Sequence, residues 1–309
     1  MLREIRSFFA ERGVLEVETP LLGQACGTDP NLQPFTSSLH WPGTSAGVTL
    51  YLQTSPEFAM KRLLAAGSGS IYQICKAFRN EESGRQHNPE FSLLEWYRVG
   101  FSLDDLRDEI DHLLQRLFAG YRELQPAISL SYREAFHFHT GLDPLAATID
   151  DFIAYAKHSE LPEARLLCSE HIPLWLDLLF SHRVQPNLQP DRLNFINDYP
   201  ALLPSLARCK SGEPEVVERM EVFLDGIELG NGFHELCDAN EQNQRFDADL
   251  LLRKESGLFM PPKDERLLAA LESGLPDCSG VALGLDRILM LRARAKTIDE
   301  VVAFPVRLA

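Results

Sequence analysis

Between Ile71 and Tyr97 the chain reads IYQICKAFRNEESGRQHNPEFSLLEWY. Two runs with Ile, Tyr and Phe at mostly alternating positions, Ile71–Phe78 and Phe91–Tyr97, flank a segment rich in Ser, Gly, Asn and Pro. That pattern predicts two strands joined as a hairpin. The mouth of this hairpin carries Arg79, Glu81, Arg85, His87 and Asn88, far more chemistry than a turn requires. A guanidinium leaving a rigid strand suits bidentate contact with phosphate. Phe91 offers a flat face on which a base can stack, and Glu81 with its nearby backbone can read a purine edge. A solvated hairpin with incidental charges accounts for the same residues, so this segment alone leaves both readings open.

The bulk properties narrow the choice of ligand. With 309 residues and 45% hydrophobic content the chain can bury a large core, in one domain or two. No apolar run reaches the length of a membrane span. The start, MLREIRSFFAERG, is charged and lacks the apolar region and cleavage site of a signal peptide. A soluble cytoplasmic protein, with no membrane partner, is expected. The six cysteines are scattered without a CxxC, against both a zinc site and a disulfide framework. A formal charge of −15 disfavours a broad nucleic-acid surface. Arginines grouped in a cleft can still hold a small polyanion such as ATP.

Along the chain, Met1–Arg12 has the period of an amphipathic helix, ended by Gly13, and VLEVETPLL follows as an extended strand. Thr49–Thr54 is a short strand. SPEFAMKRLLAAG predicts a helix with Ser55 as N-cap, Pro56 at its first position and Gly67 after its end. Leu103–Phe118 is a strong amphipathic helix, and residues 127–220 are read as a mostly helical, irregular elaboration. Met220–Ile227 is a strand with a turn at Asp225-Gly226. Asn240–Arg253 and Asp264–Glu272 are helices, and GVALGLDRILML is a glycine-containing strand entering a helix.

Two further constellations stand out. In EVFLDGIELGNGFHEL, Glu221 precedes a turn and Glu228 follows it, after which Asn231, Phe233 and Glu235 alternate on one side. Two carboxylates near a phosphate site suit Mg²⁺, and an acid further along can hold an ammonium. An edge strand with solvated acids explains Glu221 readily but the run ELGNGFHEL poorly. In GVALGLDR, Gly280 and Gly284 allow close backbone approach, and Arg287 opens the next helix as a second phosphate clamp.

An RxE hairpin, an acid-rich strand and a glycine strand ending in Arg, in that order, resemble the catalytic domain of class II aminoacyl-tRNA synthetases, most closely the lysyl branch. GVLEVETPLL, with Pro20, is similar to motif 1, FRNEE…HNPEF to motif 2 and GLDR to motif 3; TSPEF and ELGNGFHEL are similar to the lysine-site signatures. The resemblance covers nearly the whole chain. It implies an α+β fold, an antiparallel β-sheet flanked by helices, a homodimer, and ATP with Mg²⁺ as cofactors. Motif 1 begins almost at Met1, so a single catalytic domain over 1–309 without an OB-fold anticodon-binding domain is expected. Ala282 stands where lysyl-tRNA synthetases usually have glycine. Both departures resemble the short lysyl-tRNA synthetase paralogues that activate (R)-β-lysine and attach it to a lysine of translation elongation factor P. One methyl in a pocket is worth roughly 1–3 kcal/mol of discrimination.

By this resemblance Arg79 clamps the α-phosphate and Arg287 the γ-phosphate. Asn80, Glu81 and Asn88 contact the nucleotide, Phe91 stacks on adenine, and His87 supports the loop. Glu221 and Glu228 hold Mg²⁺, the Leu229 backbone lies beside the nucleotide, and Gly284 lies under the adenosine. Ser55, Glu57, Tyr97, Asn231, Phe233 and Glu235 bind the substrate, (R)-β-lysine or lysine, with Glu235 and Tyr97 on the ε-ammonium, Glu57 on the other amino group and Ala282 shaping the pocket. Two alternatives compete: a minimal enzyme charging tRNA, disfavoured by the acidity, the missing anticodon domain and Ala282, and a non-catalytic synthetase-like regulator, disfavoured because the clamping and acidic residues are all present.

Overall fold

The structure is a computed structural model that describes residues 1–43, 47–159, 161, 163–203 and 205–309. In chain order it begins with α1 (Leu2–Ala10), β1 (Leu15–Glu16), β2 (Leu22–Gly23), β3 (Thr36–His40), β4 (Gly47–Leu52), α2 (Glu57–Ala65), β5 (Ile71–Phe78), β6 (Glu90–Val99) and α3 (Leu103–Phe118). There follow β7 (Gln125–Ser131), α4 (Tyr132–Thr140), α5 (Ile149–His158), α6 (Ala164–Cys168), α7 (Ile172–Leu179), β8 (Arg192–Pro200), β9 (Cys209–Lys210), β10 (Glu213–Leu224) and β11 (Ile227–His234). The chain closes with α8 (Ala239–Glu255), α9 (Glu265–Gly274), β12 (Cys278–Gly284) and α10 (Leu285–Arg292). The chain divides into two compact units: Met1–Arg122 with Glu235–Ala309, and Glu123–His234. Among the described residues no helix is long and apolar enough to cross a membrane.

In the first unit β5 and β6 pair antiparallel, as the hairpin pattern requires, from Ile71 opposite Tyr97 to Phe78 opposite Glu90. β12 lies antiparallel on the other side of β6, and β1 runs parallel beside β5. β2, β4 and β3 form a separate small antiparallel sheet. The apolar side of α1 buries Ile5, Phe8 and Phe9, and Phe9 stacks on Tyr72 with ring centroids 4.4 Å apart. α3 packs against α1. Its bounds follow from chemistry: Ser102 and Asp105 form a reciprocal capping box at its start. The predicted strand over VLEVETPLL is realised only as β1 and β2, two residues each, with Pro20, which has no amide hydrogen to give a ladder, between them and the buried Thr19 hydroxyl donating to Gln73.

In the second unit the strand order is β11, β10, β8, β7, with β9 beside β10. Helices do fill the middle of the 127–220 stretch, but β7, β8 and most of β10 lie within it as well. The helical part has its own core, in which Phe136, Phe152, Trp175, Leu176, Tyr199 and Phe223 are buried. The β10–β11 hairpin turns at Asp225 and Gly226, whose φ values of +53° and +72° are those of a two-residue type I′ turn.

Candidate active site

A cluster of buried charges occupies the first unit. Pro56, not Ser55, is the N-cap of α2; the Ser55 hydroxyl still accepts a 3.3 Å hydrogen bond from the Glu57 amide. Glu57 in the first turn and Lys61 one turn later share a helix face. The Lys61 ammonium, 1% exposed, lies 2.6 Å from Glu57 Oε1 and 2.6 Å from Glu235 Oε2. Glu235 follows β11, and its amide donates to the Cys278 carbonyl at the start of β12. On β12, Gly280 pairs with Tyr97 and Ala282 with Glu95. The Tyr97 hydroxyl donates to Glu95 Oε1 at 2.7 Å. Gly280 is required here: a Cβ would stand 2.3 Å from the Tyr97 ring and 2.8 Å from Glu235 Oε1.

The electrostatics of this cluster favour cations. Burial pushes the Glu95 carboxyl up to about 8; the Glu57 charge adds to the shift, while donation from Tyr97 opposes it. Burial also raises Glu235, against the stabilising Lys61 ammonium. Burial alone disfavours a charged Lys61, but Glu235 and Glu57 outweigh it and hold the ammonium protonated. Burial and the neighbouring acids keep the Tyr97 phenol protonated. Glu95 Oε2 has no hydrogen-bond partner among the described residues, a buried polar atom left for something else.

Further along the same strands lie the residues expected from the sequence to bind phosphate. Arg79 follows β5, and its amide donates to the Pro89 carbonyl, closing the hairpin. Its guanidinium is only loosely held, 3.4 Å from the Thr54 carbonyl and 3.5 Å from Glu82, and stands 5.1 Å from the centre of the Phe91 ring. The Asn80 amide donates to the Gln33 carbonyl, and Asn80 Oδ1 accepts from the Glu81 amide. Glu81 is exposed, with φ of +70°, a left-handed conformation unusual for a glutamate. Gly284 pairs with Leu93 and leads into α10. Asp286 accepts a 2.7 Å bond from the Ser92 amide, which pins α10 to β6. Arg287 in the first turn reaches His87 Nε2 at 2.5 Å and the Gln86 carbonyl at 3.3 Å. Because a guanidinium is only a donor, His87 Nε2 is the acceptor. The Asn88 side chain is committed to the fold: Nδ2 donates to the Glu90 carbonyl and Oδ1 accepts from the Val306 amide.

The second unit holds the remaining predicted residues. Glu221 lies within β10, three residues before its end, opposite Asn231 on β11. The register shifts between Val222 and Phe223, so that Phe223 pairs with Glu228. Since paired residues share a face, this bulge puts Glu228 on the face of Glu221 and Asn231; without it Glu228 would point the other way. Burial raises the Glu221 carboxyl; Arg219, 2.5 Å away, opposes the shift and the Glu228 charge adds to it. The Arg219 guanidinium also lies over the Tyr199 ring. Asn231 Oδ1 is buried without a hydrogen-bond partner among the described residues. Leu229 is buried, and Phe233 packs on the core of this unit. Among the described residues no group of three or more His, Cys, Asp or Glu is arranged to hold a metal. Two like-charged carboxylates on one face nevertheless fit Mg²⁺, which takes few protein oxygens and leaves other positions to water or phosphate.

Lys61, Glu95 and Arg219 escaped the sequence reading. Lys61 had a signal, the four-residue spacing from Glu57 in a recognised helix; Glu95 had one too, a lone acid inside the apolar run SLLEWY.

Comparison with known proteins agrees with this geometry. The profile of the family described as tRNA synthetases class II (D, K and N) matches residues 1–307. An elongation factor P–(R)-beta-lysine ligase of Klebsiella pneumoniae is 50% identical over 306 residues, 99% of this chain and 93% of that protein. Proteins of the same name from Salmonella heidelberg and Salmonella agona are each 49% identical over the same coverage. The chain therefore belongs to the class II tRNA synthetase family of the D, K and N type, in the branch of the elongation factor P–(R)-beta-lysine ligases.

Proposed function

We propose that this protein is an ATP-dependent ligase that activates (R)-β-lysine as its adenylate and transfers it to a lysine side chain of translation elongation factor P. The observation that carries the reading is the buried cluster of Glu57, Glu95, Glu235 and Tyr97, acceptors for ammonium groups in a chain whose relatives bear that ligase name.

In the first step the substrate carboxylate attacks the α-phosphorus of ATP and pyrophosphate leaves. Arg79, loosely held in the unliganded protein, clamps the α-phosphate, and Arg287 the γ-phosphate. Such a step is accelerated by positioning and by charge placed where it develops. Phe91 stacks on adenine, with Asn80, Glu81 and the Leu229 backbone beside the nucleotide and Gly284 under the adenosine. Asn88 and His87 shape the loop. Glu221 and Glu228 would hold Mg²⁺, which would neutralise phosphate charge when bound. Glu235, Tyr97 and Glu95 receive the ε-ammonium, and Glu57 the other amino group, with Ser55, Asn231 and Phe233 completing the contacts. In the second step a neutral lysine amine of the acceptor attacks the acyl carbonyl, AMP leaves, and an amide forms.

The test is a mass measurement on elongation factor P after incubation with enzyme, ATP and (R)-β-lysine, with tRNA offered in a parallel reaction. The expected result is a gain of one lysyl residue on the factor and no aminoacylated tRNA. Charged tRNA with unmodified factor overturns the assignment of the acceptor.

A further inference from the structure

Lys61 has no part in the reaction described above, yet it sits at the centre of the amine-binding acids. Its ammonium touches both Glu57 and Glu235, the two carboxylates assigned to different amino groups of the substrate. Among the described residues the other titratable groups facing the cluster are Glu95 and Tyr97 from β6, Cys75 from β5 and Cys278 from β12. With Glu95 keeping its proton at neutral pH, Glu57 and Glu235 against Lys61 leave one negative charge in a region almost closed to water, and a second when Glu95 gives up its proton on ligand binding. A structural salt bridge needs one acid per base; here one base serves two acids and a third stands beside them.

We propose that Lys61 is a positioning residue, a resident counter-ion that bridges Glu57 and Glu235 and holds both carboxylates ready for the two ammonium groups of a diamino acid. This rests on the reading of the cluster as the amine-binding site. With Lys61 in place the buried Glu235 carboxylate is already partly neutralised, which favours its ionised form before the substrate arrives. A substrate with two ammonium groups then meets both bridged carboxylates, while one with a single ammonium meets only one.

The experiment compares wild-type protein with Lys61→Met, which keeps the length of the side chain and removes its charge, and Lys61→Arg, which keeps the charge. Pyrophosphate exchange dependent on (R)-β-lysine is followed from pH 6 to 9, with separate KM values for ATP and the amino acid. For Lys61→Met the amino-acid KM at pH 7 is expected to rise about tenfold, the factor that one unit in a ligand carboxylate gives. The ATP KM should change less than twofold. The rise of kcat/KM with pH should move upward by about one unit, because Glu235 ionises later without its ammonium, and Lys61→Arg should restore the wild-type profile. An unmoved pH profile, or equal losses for ATP and amino acid, overturns the proposal. Should Lys61→Met fail to fold, the ¹⁵N resonance of the Lys61 ammonium decides: a shift on adding the diamino acid supports the bridge, and no shift overturns it. Wild-type protein inactive with every diamino acid would instead overturn the proposed function itself.

Discussion

Glu95 shows how a single residue is tuned for its task. Its carboxyl titrates near 8 in the folded chain, against 4.5 for an unburied glutamate. Between those values the folded protein keeps a proton that the unfolded chain has lost, so stability falls as pH rises across that window. Glu95→Gln removes this slope. Thermal melts of the unliganded variant from pH 5 to 8 are expected to be flatter than those of the wild type, and parallel slopes would refute the buried ionisation. Arg79 is the opposite case. Its side-chain contacts are long, at 3.4 and 3.5 Å, so little of the fold depends on it. Arg79→Ala is expected to lower pyrophosphate exchange by about 10²–10³-fold, the usual cost of one charge-stabilising donor, with an unchanged circular dichroism spectrum. These roles were unequally legible. Arg79 ends a patterned strand, while Glu95 lies inside one, and only packing reveals that the acid is enclosed.

At the level of elements, the proposed selectivity is assigned to β12. Gly280 lets Tyr97 and Glu235 approach, and Ala282, opposite Glu95, adds one methyl to that strand. Ala282→Gly is expected to shift preference toward α-lysine by about 1–3 kcal/mol, or roughly 10-fold upward. Relative exchange rates for the two lysines measure it, and an unchanged ratio removes Ala282 from selectivity. α8 contributes otherwise: Arg253, fully buried, donates to the carbonyls of Thr28, Asp29, Leu32 and Phe259. Arg253→Met leaves those carbonyls unpaired and is expected to lower stability by about 3 kcal/mol or more, read from the urea midpoint. Elements with a clear apolar period were legible, α3 above all, whose predicted bounds Leu103–Phe118 are those observed. β3 was not, since every residue in it is exposed and no alternation marks it. Nor was β8, where buried Asn194 is bonded to the Gln189 and Arg192 carbonyls and breaks the apolar pattern.

At the scale of the whole molecule, the three motif segments identify the family because they occur in one order over one chain, although each was ambiguous alone. What their spacing could not convey is charge balance: the bridging Lys61 and the bulge that reorients Glu228 depend on neighbours distant in sequence. Leu15, Leu21, Leu22, Leu39 and Trp41, in or beside the short strands β1 to β3, are exposed. A homodimer formed through this motif 1 region is expected, and light scattering should give twice the 34.9 kDa chain mass; a single-chain mass at micromolar concentration would refute it. A last consequence concerns handling. The Val306 amide is held by Asn88 and the Ile298 amide by the Arg85 carbonyl, so the final residues brace the loop that carries His87. An affinity tag fused after Ala309 would tug on that brace, whereas the same tag placed ahead of Met1 would leave it alone.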